Sequence, residues 1–194
     1  MIIWINGAFG AGKTQTAHEL HRRIPNSCIY DPEKAGYFLR ENLPASTFKA
    51  DFQDMPMWRT INHSLLSYIN KEYKGVIIVP MTIVNPVYFS EIIGELRKEG
   101  VTIHHYVLWA SKPTLVSRLK GRGERKASWA INQIDRCMEG FSNSVFENRI
   151  NTDNITVAVA AKTIAALSDV QLLPDNRSFL RKKWDHFKLR LRDR

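Results

Sequence analysis

Eight residues near the start of the chain constrain its fold more than any others: Gly7-Ala8-Phe9-Gly10-Ala11-Gly12-Lys13-Thr14. They satisfy G-x-x-x-x-G-K-[ST] at every position, and they lie between an apolar run, Met1–Asn6, and a helix-patterned stretch, Thr14–Ile24. Glycines let such a loop curl until successive backbone N–H groups point inward, and the following helix offers its positive N-terminus to an anion. In that arrangement Lys13 bridges the β- and γ-phosphates of a nucleotide, and the Thr14 hydroxyl ligates Mg²⁺. The whole stretch from Gly7 through Thr14, with Gln15 behind it, is the expected nucleotide contact, and ATP with Mg²⁺ the expected cofactor.

The rest of the chain alternates short apolar runs with longer helical patterns. Strand candidates are Cys28–Tyr30, Val76–Val79, Val101–Leu108 and a last one within Ile150–Val157. Between them, helical spacing covers Lys34–Asn42, Met57–Tyr73, Tyr88–Glu99, Lys112–Lys120, Trp129–Glu139 and Ala158–Leu167. Continuously apolar strands alternating with helices indicate a buried parallel sheet, hence a three-layer α/β/α P-loop fold with five strands. At 194 residues this is one domain, expected over 1–173, with Leu173-Pro174-Asp175 as linker and 174–194 as a separate tail. No leader peptide or membrane-crossing segment is expected, and Cys28 and Cys137 suit a reducing cytoplasmic interior.

Beyond the loop, Arg118, Gly121 and Arg122 form an Arg-x-x-Gly-Arg pattern that resembles the lid of small-molecule and nucleoside-monophosphate kinases. That resemblance implies a lid over about 118–128, with Arg118 stacking on adenine and Arg122 closing over the transferring phosphoryl group. Arg125 and Lys126 are possible helpers, and a solvated basic loop is the plain alternative. No acid ends the Val76–Val79 run, which continues Pro80-Met81-Thr82. Asp31, directly after the second strand candidate, is therefore the carboxylate expected to serve the metal or to activate an acceptor hydroxyl, against a plain turn aspartate before Pro32, with Asp51 and Asp54 as weaker alternatives. Phe48, Phe52 and Trp58 could form a platform for a substrate ring, with Arg59 or Arg40 on a phosphate or pyrophosphate, and Thr82 is a further substrate candidate. Packing is the ordinary fate of such aromatics. His18 with His21, and His104 with His105, lack a third ligand at metal spacing, so no zinc or iron site is expected.

The formal net charge is +9, of which +6 lies between Arg177 and Arg194. Leu180, Trp184, Phe187 and Leu191 recur at helical spacing there, with Arg181, Lys182, Lys183, Lys188 and Arg190 on other faces. Such a basic amphipathic helix suits an anionic membrane surface. Packing on the body is the second reading, and nucleic acid a distant third, since no recognition motif accompanies it.

Several longer segments resemble the tunicamycin-resistance ATP-binding protein family. The resemblance runs through Trp4–Gly10, Thr14-Gln15-Thr16-Ala17, Tyr30-Asp31-Pro32-Glu33-Lys34, Ile78-Val79-Pro80-Met81-Thr82-Ile83-Val84, His104-His105, Gln133–Cys137 and Thr152-Asp153-Asn154. It implies an ATP-binding protein that protects a cell against the nucleoside antibiotic tunicamycin while associated with the inner face of the membrane. Two classes stay open: a kinase that phosphorylates the drug or a related small molecule, and a protein that captures the drug without chemistry.

Overall fold

The computed structural model describes residues 1–124, 128–178, 181, 184 and 185. Five strands form one parallel sheet in the order β2-β3-β1-β4-β5: β1 (Ile2–Gly7), β2 (Ser27–Ile29), β3 (Val76–Pro80), β4 (Ile103–Trp109) and β5 (Arg149–Asn151). Every residue of β1 is buried, because both its neighbours and both its faces are covered. Ile2 pairs with Ile77 on one side and Ile103 on the other, and the register runs on to Ile5 opposite Pro80 and Gly7 opposite Leu108.

Helices occupy the crossovers: α1 (Lys13–Arg23), α2 (Glu33–Asn42), α3 (Pro56–Glu72), α4 (Pro86–Phe89), α5 (Glu95–Lys98), α6 (Lys112–Lys120), α7 (Trp129–Asn132), α8 (Ile134–Gly140) and α9 (Val157–Leu167). Strand alternation assigns the layers. Tyr106 bonds Ser168, just beyond α9, and α9 packs on α1. Its neighbour His105 points the other way, onto Phe89 of α4, where α3 and α5 also pack together. Three layers result, as the alternating pattern implies.

Two helices differ from the spacing. The stretch expected over Tyr88–Glu99 starts at Pro86, where the Asn85 side chain caps the Val87 N–H at 2.8 Å and proline supplies a preset first turn. It then passes through a π-helical segment, Ser90–Gly94. The stretch over Trp129–Glu139 divides at Gln133, whose ψ of −9° flattens the turn between α7 and α8.

After α9 the chain turns at Asp169, φ 53°, and runs back along α1, where the Leu173 N–H donates to the Arg23 carbonyl at 2.8 Å. Arg125, Lys126 and Ala127 of the expected lid lie outside the described residues. So do Leu180, Lys182, Lys183, Phe187, Lys188, Arg190 and Leu191 of the expected amphipathic helix. Arg181, Trp184 and Asp185 have helical backbone, with Trp184 exposed. Among the described residues no helix is long and apolar enough to cross a membrane.

Candidate functional site

In a parallel sheet every strand delivers its following loop to the same edge, and ligands bind in the crevice there. The loop Gly7–Gly12 leaves β1 at that edge. Gly7 adopts φ 144°, and a Cβ there would stand 2.6 Å from the Leu108 carbonyl oxygen, so no side chain fits. Gly12 caps α1 in the left-handed region at φ 99°. Lys13 folds back over the loop, its Nζ donating to the Ala8 carbonyl at 3.2 Å and lying 5.4 Å from the centre of the Phe9 ring. Thr14, half-buried, stands on the first turn of α1. Gln15 follows, and its buried Nε2 has no hydrogen-bond partner, a donor that an oxyanion would satisfy. Curled loop, lysine, helix N-terminus and orphan donor all fit a nucleotide's phosphates, with Thr14 as the side-chain hydroxyl for Mg²⁺. Among the described residues, no group of three His, Cys, Asp or Glu side chains gathers to hold a metal without them.

The outer side of this loop is packed rather than open. Phe9 meets Trp129 of α7 edge to face at 4.9 Å, and Cys137 of α8 is fully buried against the Phe9 backbone. Burial pushes the Cys137 thiol up, with the Lys13 charge opposing it. On the inner side the acid-free turn after β3 has a structural task. The Thr82 hydroxyl donates to the Gly7 carbonyl at 2.8 Å, and the Thr82 carbonyl accepts from Gln53 Nε2 at 3.1 Å. Thr82 thus spends its hydroxyl on the phosphate loop and is buried there.

Of the two arginines expected in a lid, Arg118 lies in the last turn of α6 and Arg122 just past its end. Arg118 donates to the Thr152 hydroxyl at 3.1 Å and to the Thr152 carbonyl, which holds its guanidinium against the end of β5. Asp153 braces the same corner by accepting from the Ser111 N–H and hydroxyl, each at 3.0 Å. A hydrogen bond from Thr114 is the main reason its carboxyl stays below the usual range. Arg122, half-buried, sits in the turn after α6 with its N–H on the Leu119 carbonyl at 2.9 Å.

Asp31 stands past the end of β2, at the loop's edge of the sheet. Its Oδ1 accepts from the Glu33 N–H at 3.1 Å, so one oxygen caps α2 while a carboxylate has a second to offer. The aromatics expected as a substrate platform form a packed stack. Phe52 and Trp58 lie 5.4 Å apart, and Gly36 of α2 leaves room for the Phe52 ring, which a Cβ would approach to 2.7 Å. Trp58 is fully buried, its indole N–H on the Pro32 carbonyl at 3.0 Å, and so forms the floor of the stack rather than its open face. Arg40 lies over Phe52 at 5.8 Å. Arg59 is committed elsewhere: to the Gln53 carbonyl at 2.6 Å, to the Glu91 carboxylate, and to the Tyr88 ring at 4.3 Å.

Three participants escaped the sequence reasoning. Asn6 and His105 anchor the loop from behind, and Gln53 ties its own segment to the Thr82 turn. A polar residue closing an otherwise apolar strand was the signal available for Asn6. Nothing local marked Gln53.

Comparison with known proteins agrees with this geometry. A family model described as an AAA domain matches residues 2–143. The structure of the tunicamycin resistance protein of Deinococcus radiodurans is similar at 33% identity and a TM-score of 0.78, over 90% of this chain and 98% of that one. Shikimate kinase of Bacteroides thetaiotaomicron (17% identity, TM-score 0.58, 87% and 98% covered) and the APS kinase of Mycobacterium tuberculosis (14%, 0.57, 87% and 96%) share the fold. Among curated proteins, none matches.

Proposed function

The chain belongs to the tunicamycin-resistance family of P-loop proteins, and from that premise we propose that it protects against a tunicamycin-type nucleoside antibiotic by Mg-ATP-dependent phosphoryl transfer. The acceptor is a hydroxyl of the drug or of a related small molecule. One observation carries the transfer: Asp31 leaves β2 at the same sheet edge where the phosphate loop leaves β1. A carboxylate at that edge can take a proton from an acceptor bound beside the γ-phosphate.

Bound Mg-ATP supplies the phosphoryl group and neutralises its charge. Lys13 faces the β- and γ-phosphates, and Arg122 closes over the group in transit. The acceptor oxygen forms its bond to the γ-phosphorus as the bond to the β,γ-bridging oxygen breaks. The hydroxyl proton passes to Asp31, and ADP departs. Phe52 and Arg40 border the acceptor side.

A second reading, capture of the drug without chemistry, draws on Thr82. Where an acid commonly organises the metal, this chain places a hydroxyl already committed to Gly7. In either reading the basic tail brings the protein to the inner, anionic face of the cell membrane. Incubating the protein with Mg-ATP and tunicamycin, then weighing the drug by mass spectrometry, separates the two. A gain of one phosphoryl group is expected; unchanged drug with ATP-enhanced binding would favour capture.

A further inference from the structure

Asn6 ends the apolar run of β1, and its fully buried amide is saturated. Oδ1 accepts from the Gly7 N–H at 2.9 Å and from the Ile83 N–H at 3.0 Å, while Nδ2 donates to the Ile83 carbonyl at 2.8 Å. Its remaining contact, at 3.2 Å, is with Nε2 of His105. The polarity of that contact follows by elimination. Turning the amide over would aim its NH₂ at two N–H donors, so Nδ2 faces the ring and His105 Nε2 presents a lone pair. The ring is then neutral, with its proton on Nδ1. Phe89 at 4.8 Å and Phe146 at 5.9 Å hold it in place. With Thr82 on the Gly7 carbonyl, both backbone polar groups of the first loop residue are taken from behind.

We propose that His105 is a positioning residue of the phosphate loop, its Nε2 lone pair orienting the Asn6 amide that, with Thr82, aims the loop before nucleotide arrives. The inference rests on the nucleotide reading above. His105 touches no ligand; it acts through Asn6, by lowering the ordering that binding would otherwise require. The arrangement also accounts for a polar pair in the most buried part of the sheet, where apolar residues would pack with less risk of an unmade hydrogen bond.

Two substitutions in the full chain separate this role from filling space. In His105→Gln, Oε1 reaches about where Nε2 stands and accepts the same hydrogen bond. In His105→Leu the volume remains but Asn6 Nδ2 faces hydrocarbon. Titration with Mg-ATP is expected to leave the Gln variant within about threefold of wild type and to weaken the Leu variant about tenfold or more, the scale of one buried hydrogen bond. Hydrogen exchange without nucleotide should accelerate at the Gly7 and Ile83 amides in the Leu variant and not in the Gln variant. Wild-type affinity or wild-type exchange in the Leu variant would overturn the proposal. Should wild type bind no nucleotide, the function above fails, and the exchange contrast still decides the role of His105. If the Leu variant does not fold, Thr82→Val removes the other half of the same anchor, and unchanged Mg-ATP affinity there overturns the proposal too.

Discussion

Arg177 reaches back 158 residues to donate to Glu19 Oε2 at 2.6 Å, fastening the segment after α9 to the helix that follows the phosphate loop. Glu19 is only 2% exposed, and Arg22 also reaches it at 2.6 Å. The same guanidinium holds Asp175 at 2.7 Å and Asp185 at 3.0 Å. Leu173–Asp175, which composition marks as a linker, is thus clasped on α1, with Arg23 Nε donating to the Leu173 carbonyl at 2.8 Å. Arg177→Ala should lower the free energy of unfolding by roughly 2 kcal/mol, since a charged hydrogen bond to a buried acid is lost while Arg22 stays with Glu19. Urea unfolding at low and high salt measures it, and a shift below about 0.5 kcal/mol would mean that the clasp is as weak as an ordinary surface pair.

The proposed membrane association is expected to depend on the tail that carries Trp184. Trp184 is exposed, and the surrounding tail carries most of the net charge. Trp184→Glu should release the protein from anionic vesicles while leaving nucleotide binding intact, because charge attraction alone decays within roughly 8 Å at physiological salt and aromatic insertion must supply the rest. Flotation with anionic and with neutral vesicles tests this. Equal flotation of wild type and Trp184→Glu would sink it.

Lys13→Ala removes the ammonium that folds over the loop mouth toward Ala8. Mg-ATP affinity should fall at least about tenfold, while the melting temperature of the free protein drops only slightly, because the fold loses one part-buried hydrogen bond and a ring contact. Calorimetric titration and a thermal melt together check both halves.

Asp31→Asn keeps the shape and the cap on Glu33 while removing the negative charge. Nucleotide affinity should persist and any phosphoryl transfer should slow by about 100-fold, the usual worth of a general base. An undiminished rate would leave Asp31 as a helix cap and nothing more.

Acid should destabilise the fold through His105. Burial pushes this ring down to about 3, and the Arg97 charge adds to the effect. The unfolded chain takes up its proton near the ordinary value of about 6.5, so the unfolded state binds more protons through that interval and stability falls as pH drops. Between pH 7 and pH 5 the loss from this one group is about 2 kcal/mol. Asp153, held low chiefly by Thr114, and Asp185, held low chiefly by Arg177, favour the folded state above their unfolded values and add their losses only below about pH 4. Urea midpoints at pH 7, 6 and 5 should therefore decline in wild type and decline less in His105→Gln.

Much of this molecule is written in short-range pattern. The loop Gly7–Thr14, the strand–helix alternation and the Arg118–Arg122 pair each depend on residues close together in sequence, whose backbone preferences and spacing act locally. Hence the five parallel strands, the P-loop fold and the family resemblance were legible, and the structure bears them out. Strand alternation sends the adjacent His104 and His105 to opposite faces, and of the two only His105 is buried.

Strand order was not legible, because β1 lies between β3 and β4 only by virtue of which apolar faces the crossovers cover. Nor were the side-chain pairs that make the site rigid. Thr82 meets Gly7 across 75 residues, His105 meets Asn6 across 99, and Arg177 meets Glu19 across 158. No local period records such pairs. Each exists because folding buried a polar group that then required a partner, and only the packed sheet determined which partner stood within reach.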